Sequence, residues 1–199
     1  QIVTFTHPHI GNTGINIDDY ESKLIHASGM VVKNFCETPS NWRSTSSLED
    51  FLIQNESIAI SEVDTREITS LLREKGAMNS CIGSLSKISE EEAIKAAKEF
   101  NGLKGMDLAK VVSTKSEYDW NEGIWPENKE SNQSYSIVAY DYGIKENILR
   151  LLTESLGSVK VVNAKTPFEE IIKLNPNGIF LSNGPGDPEP CDYAIKSIK

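Results

Sequence analysis

The chain has 199 residues, 38% of them hydrophobic and 25% charged, with a net charge of −9 from 20 basic and 29 acidic side chains. That length supports one large or two small domains, and the composition excludes disorder as the default. The acidic balance argues against nucleic acid or an anionic membrane surface as a partner, and no apolar run is long enough to span a bilayer.

The chain opens on Gln1-Ile2-Val3-Thr4-Phe5-Thr6, a strand pattern without an initiator Met. It closes on Asp192 to Lys199, a helix pattern without a Gly or Pro stop. Together the two ends predict an internal piece of a longer polypeptide. His7 and His9 follow on a turn-rich stretch. With no third His or Cys ligand evident, they read as structural or surface histidines. Met30 to Phe35 predicts a strand rich in β-branched and aromatic residues. Ser46-Ser47-Leu48-Glu49 has capping-box spacing and predicts a helix through Gln54. Ser57 to Ile60 reads as a buried strand. Asp64-Thr65-Arg66-Glu67 opens a second helix, with Ile68, Leu71 and Leu72 on one face and Gly76 as its stop. Met78 to Ile82 predicts a strand. Ser89-Glu90-Glu91-Glu92 starts a third helix that ends at Asn101-Gly102, and Asp107 to Ser113 returns to an extended pattern.

Nothing in residues 1–115 forms a nucleophile–base pair by spacing. Arg43, Arg66 and Arg73 read as solvated or locally paired charges. The region is predicted to be a mixed α/β domain with a structural or interaction role. Residues 116–134 read as a polar linker. Trp120 and Trp125 predict that this linker is pinned to a surface, since aromatics are scarce in free segments. Tyr118, Trp120 and Trp125 are also candidates for a subunit interface. Cys36, Cys81 and Cys191 are odd in number and form no CxxC pair. They fit reduced thiols in a cytosolic protein, with no zinc site.

From Tyr135 the pattern changes. Ser136 to Tyr140 reads as an apolar strand and Lys145 to Glu154 as a helix with Ile148, Leu151 and Leu152 on one face. Ser158 to Val162 is a second strand. Thr166-Pro167-Phe168-Glu169 is a capping box with Pro at the first helical position, and its helix runs to Asn175. Gly178 to Leu181 is a third, buried strand. Strand–helix–strand–helix–strand with short connections predicts a parallel sheet. Ligands bind outside the carboxyl ends of such strands. Asn183-Gly184-Pro185-Gly186-Asp187-Pro188 lies at one of those ends. Its prolines fix two φ angles, and its glycines present backbone N–H groups with no side chain in the way. Such groups suit an anion or a developing oxyanion; the alternative is a tight turn with no ligand. No GxGxxG follows the first strand, only Gly143, which disfavours a dinucleotide site.

Asn183-Gly184-Pro185-Gly186-Asp187-Pro188 resembles the oxyanion loop of class I, triad-type glutamine amidotransferases. Tyr140-Asp141-Tyr142-Gly143-Ile144-Lys145-Glu146-Asn147-Ile148-Leu149-Arg150 is similar to the start of that domain in the carbamoyl phosphate synthetase small-subunit family. Pro8-His9-Ile10-Gly11-Asn12, Asp64-Thr65-Arg66, Leu72-Arg73-Glu74-Lys75-Gly76-Ala77 and Gly105-Met106-Asp107-Leu108 resemble the same family's N-terminal domain. The resemblance implies an α/β chain with domains at 1–115 and 135–199, the second being the first βαβαβ part of the amidotransferase parallel sheet.

It further implies that glutamine is hydrolysed through a cysteine thioester. Ammonia would pass to a large synthetase subunit that uses bicarbonate, ATP and Mg, for arginine and pyrimidine synthesis in the cytoplasm. Gly184 and Gly186 match glycines that contact glutamine, and the Gly184 N–H would be half of the oxyanion hole. The nucleophile of the family sits in a Gly-x-Cys-x-Gly elbow, which this chain lacks. That Cys, the base His and its partner Glu are expected beyond Lys199, and one glutamine-contacting Ser before Gln1. Cys191 matches a position that is not the nucleophile. His7 stands where an aromatic is common. The 199 residues alone are therefore expected to be inactive. No cofactor is expected in this chain. The alternatives are a non-catalytic scaffold of the same fold, or an amidotransferase feeding another synthase.

Overall fold

The computed structural model describes residues 1–126 and 134–199. Contacts divide the chain into two compact units, Gln1–Gly102 and Leu103–Lys199.

The first unit holds β1 (Ile2–Thr4), β2 (His9–Ile10), β3 (Gly29–Val31), β4 (Asn34–Phe35), α1 (Leu48–Gln54), β5 (Ala59–Ile60), α2 (Thr65–Lys75) and α3 (Glu90–Glu99). Two small parallel sheets result, one in the order β1-β3-β5 and one pairing β2 with β4. The single strand predicted over Met30 to Phe35 is thus two strands in two sheets. The chain changes sheets at Val32 and Lys33: Val32 N donates to Ile60 O and Lys33 O accepts from Glu62 N. Val32 is fully buried at that crossing.

Each helix start follows from a side-chain oxygen accepting orphan backbone N–H groups. Ser47 Oγ accepts from Asp50 N at 3.0 Å, so the α1 cap falls one residue later than the Ser46 pattern predicts. Asp64 Oδ1 accepts from the N–H groups of Arg66 and Glu67, both at 3.1 Å, and α2 ends before Gly76. Ser89 and Glu92 form the reciprocal capping box of α3. Two expectations fail. Met78 to Ile82 forms no strand; its local bonds run from Asn79 Nδ2 to Phe100 O and from Ser80 Oγ to Met78 O. Ala59 and Ile60 do form a strand, but as the edge of their sheet they are exposed and not buried.

The second unit holds α4 (Ala109–Val112), β6 (Tyr118–Trp120), β7 (Tyr135–Asp141), α5 (Glu146–Leu156), β8 (Gly157–Asn163), α6 (Phe168–Lys173), β9 (Gly178–Leu181) and α7 (Asp192–Ile198). Its sheet runs β6-β8-β7-β9. β7 is parallel to both neighbours, from Tyr135↔Gly157 to Asp141↔Asn163 and from Ile137↔Gly178 to Tyr140↔Leu181. Alternation along β7 sends successive side chains to opposite faces. Ile137 and Ala139 join Val159, Val161 and Leu149 of α5 in one core. Val138, Tyr140 and Tyr142 join Val162, Ile171 of α6 and Ala194 of α7 in the other. The sheet is therefore covered on both faces, the arrangement that fits near-continuous apolar strands.

Residues 103–115, read from sequence as part of the first domain, pack in the second unit. Asp107 to Ser113 is not extended: α4 forms there, with Asp107 Oδ1 accepting from Lys110 N at 3.1 Å. Residues 118–120, read as linker, are strand β6, antiparallel to β8 with Asp119 opposite Lys160. Lys160 Nζ lies 2.9 Å from Asp119 Oδ1. Trp120 stacks under the Arg150 guanidinium, 5.7 Å from ring centroid to Cζ, and Ile124 N donates to Glu154 Oε2. The expected pinning of this stretch is that pair of α5 side chains. Residues 127–133 of the predicted linker lie outside the described residues. Pro167 occupies the cap of α6 and not its first turn, and no side chain caps that helix. β9 is the sheet edge, so Ile179 and Leu181 are 41% and 42% exposed where burial was expected. Among the described residues, no helix is long and apolar enough to cross a membrane.

Candidate active-site loop

The Asn183–Pro188 loop leaves the carboxyl end of β9 beside the carboxyl end of β7, in the second unit. Two carboxylates and one hydroxyl fix this rim. Asp141, the last residue of β7, is 6% exposed. Its Oδ1 accepts from Gly143 N and Ile144 N, both at 2.9 Å, and its Oδ2 from Thr114 N at 2.7 Å. Ser182 Oγ accepts from Tyr142 N at 2.9 Å and donates to Asn183 O at 2.8 Å. Asp187 Oδ1 accepts from Glu189 N at 2.9 Å and its Oδ2 from Gly105 N at 3.0 Å.

The two predicted site glycines are required by space and by φ. A Cβ on Gly184 would stand 2.5 Å from the Tyr142 carbonyl oxygen, which is backbone and cannot swing away. Gly186 sits at φ +78°, and a Cβ there would meet Leu108 Cδ1 at 3.0 Å. Among the described residues neither Gly184 N–H nor Gly186 N–H is used in a hydrogen bond. The loop thus holds two backbone donors on a frame anchored at Ser182 and Asp187.

Burial shapes the titration of the neighbouring phenols. Tyr142 is pushed up to about 12, first by burial and then by Tyr140 and Cys191. Its hydroxyl has no hydrogen-bond partner among the described residues, and its ring stacks on Tyr140 at 5.9 Å. Tyr140 is raised as well, chiefly by burial, and its hydroxyl donates to Thr166 O at 3.1 Å. These phenols are neutral over the working pH range and act as walls, not bases.

Asp187 is held below its ordinary value of 3.8, first by the Glu189 N–H, then by the Gly105 N–H and the Lys104 charge. A depressed carboxyl stabilises the fold fully above its unfolded pKa and loses that contribution as pH falls through the folded one. The amide signals of Gly105 and Glu189 are therefore expected to titrate together, with an inflection below 3.8. Separate inflections, or a shared one at the ordinary value, would remove Asp187 from the loop's frame.

Cys191 caps α7, is buried, and its N–H donates to Pro188 O at 3.0 Å. Its Sγ lies 3.8 Å from Asp107 Oδ1, which also accepts from the Tyr193 hydroxyl at 3.1 Å. A carboxylate thus lies beside Cys191, from a residue 84 positions away along the chain. Burial together with Asp107 still gives Cys191 the surroundings of a structural thiol. In the first unit, His7 Nδ1 bonds its neighbour's carbonyl, His9 O, at 3.0 Å. Arg43 pairs with Asp18 and Asp19. Among the described residues, no group of three or more His, Cys, Asp or Glu is placed to hold a metal ion.

Residues 1–82 match the family described as carbamoyl-phosphate synthase small chain, CPSase domain, and residues 138–199 match glutamine amidotransferase class-I. The carbamoyl phosphate synthase small chain of Pseudomonas syringae pv. tomato is 54% identical over 206 residues, taking in 100% of this chain and 54% of the relative. Those of Vibrio cholerae and Thioalkalivibrio sulfidiphilus are 52% and 51% identical, with the same coverage. Over its whole length the chain is similar to carbamoyl phosphate synthase small chains. It spans about half the length of the curated relatives it matches.

Sequence patterns pick out Gly184 and Gly186 but leave Asp141, Ser182 and Asp107 without a role. One signal was present. Asp141-Tyr142-Gly143 after an apolar strand is an Asx-turn pattern, in which a carboxylate accepts from the backbone two residues on. The Asp107 contact left no such trace.

Proposed function

We propose that this chain carries the oxyanion loop of a glutamine-hydrolysing carbamoyl phosphate synthase small chain. The observation that carries the reading is the pair of unused N–H groups at Gly184 and Gly186, where the loop tolerates no Cβ. In this reading a thiolate attacks the carboxamide carbon of glutamine. The carbonyl oxygen becomes an oxyanion, and the Gly184 N–H donates to it. Ammonia leaves, a thioester remains, and water releases glutamate. The thiolate comes from a Gly-x-Cys-x-Gly elbow, with its His and Glu, outside these 199 residues. Gly186 lines the glutamine side of the same loop.

The whole protein works as a heterodimer with a large synthetase subunit in the cytoplasm. That subunit binds ATP and Mg and combines the ammonia with bicarbonate, for arginine and pyrimidine synthesis.

The test is glutamate release by the whole protein assembled with its large subunit. Release that ends on thiol alkylation, with none from residues 1–199 alone, supports the reading. A whole protein without glutamate release, and with another residue at the elbow, would be a scaffold of the same fold.

A further inference from the structure

We infer that Gly105–Leu108 is a brace that positions the Asn183–Pro188 loop, with Asp107 as the positioning residue. The inference rests on the glutamine reading above and adds to it a segment that lies outside both family matches.

The brace touches the loop region at three places. The Gly105 N–H donates to Asp187 Oδ2 at 3.0 Å. Leu108 packs where a Gly186 Cβ would stand, 3.0 Å from its Cδ1. Asp107 Oδ1 accepts from the Tyr193 hydroxyl at 3.1 Å and faces Cys191 Sγ at 3.8 Å, just beyond the loop. Cys191 returns the connection through its N–H to Pro188 O. The Asp107 side chain is only 10% exposed and also accepts from Lys110 N, so its own position is fixed by the first turn of α4. Lys110 Nζ lies 3.9 Å from Asp107 Oδ2.

Gly184 and Gly186 each have more backbone freedom to lose than another residue would, although Pro185 and Pro188 fix φ at two positions of the loop. Donors aimed at an oxyanion must be held to within about 0.5 Å to count. Ser182 and Asp187 secure the loop's start and its far end from within. Asp107 secures the turn into α7 from outside the loop, at Cys191 and Tyr193, beside the one bond from Cys191 N to Pro188 O. One carboxylate oxygen serving three donors explains why an acceptor is needed at this position. The substitution Asp107→Asn would keep that oxygen, whereas Asp107→Ala would remove it.

The experiment uses the whole protein with its large subunit and compares Asp107→Ala with Asp107→Asn. We expect Asp107→Ala to lower kcat for glutamine hydrolysis about tenfold while KM stays within about twofold, because ground-state binding does not need the oxyanion donors. Asp107→Asn should restore kcat to within about threefold. Hydrogen exchange is read on the same samples. Amides of residues 184–187 should exchange about tenfold faster in Asp107→Ala, with β7 still protected. Unchanged kcat and unchanged loop exchange in Asp107→Ala overturn the brace, as does an Asp107→Asn variant no better than Asp107→Ala. A wild-type protein that hydrolyses no glutamine defeats the glutamine reading instead, and the exchange data then decide the brace alone.

Discussion

Gly184→Ala is expected to lower glutamine hydrolysis by the whole protein about 100- to 1,000-fold, the usual cost of losing one oxyanion donor. The new methyl would lie 2.5 Å from the Tyr142 carbonyl oxygen. That oxygen belongs to the β7–α5 turn, which Asp141 and Ser182 hold by three hydrogen bonds to Tyr142, Gly143 and Ile144. The turn is the stiffer partner, so the loop gives way. A displacement of about 1 Å takes the Gly184 N–H out of line with the developing charge. KM should move less than kcat, since the donor matters most in the transition state. A Gly184→Ala protein within threefold of wild type in kcat would show that the oxyanion is held elsewhere.

The largest stability effect is expected at Asp141. Its two oxygens serve three backbone N–H groups, those of Gly143, Ile144 and Thr114, from a side chain that is 6% exposed. Hydrogen bonds to a charged acceptor contribute about 1.5–3 kcal/mol each, and donors left unpaired add a desolvation cost. The bonds share one side chain and water reaches part of the turn, so the contributions do not sum. Asp141→Ala should destabilise the second unit by about 3–4 kcal/mol, and Asp141→Asn by about half of that. Urea unfolding followed by tryptophan fluorescence reads the difference as a shift in midpoint at constant slope. A loss below about 1 kcal/mol in Asp141→Ala would mean that the three donors find other acceptors.

What the sequence made legible was whatever is local. Ser47, Asp64 and Ser89 sit before helices α1, α2 and α3, and the backbone N–H groups that donate to them lie within three residues. The βαβαβ order from Tyr135 is likewise a matter of adjacent segments, and β7, β8 and β9 formed within a residue or two of their expected bounds. The glycine loop was legible because its composition breaks sharply from the strand before it. What was missed depends on distant partners. β6 reads as linker because Tyr118-Asp119-Trp120 is too short and polar to signal a strand; its ladder is supplied by β8, which lies beyond β7 and α5 in the chain. One miss is the exception: Asp107 to Ser113, expected to be extended, is a helical turn whose cause is local, Asp107 accepting from Lys110 N three residues on. The apolar run Met78 to Ile82 had strand propensity and no partner strand, and pairing, not propensity, decides such cases. The exposure of Ile179 and Leu181 could not be read either, because an edge strand and a central strand carry the same apolar letters.

The β6 strand also decides where the parallel sheet is open to company. An unpaired strand edge is a template for any other strand that meets it, and proteins guard against stray pairing. On the β8 side that guard is built in: three antiparallel residues, a cross-strand Lys160–Asp119 ion pair and a tryptophan clamped by Arg150. On the β9 side nothing among the described residues competes for the edge. The sheet's two margins are β6 and β9, and only the β9 margin runs parallel to its neighbour. That margin is the one whose carboxyl end continues into the glycine loop, so a strand added there would end beside the Gly184 and Gly186 donors.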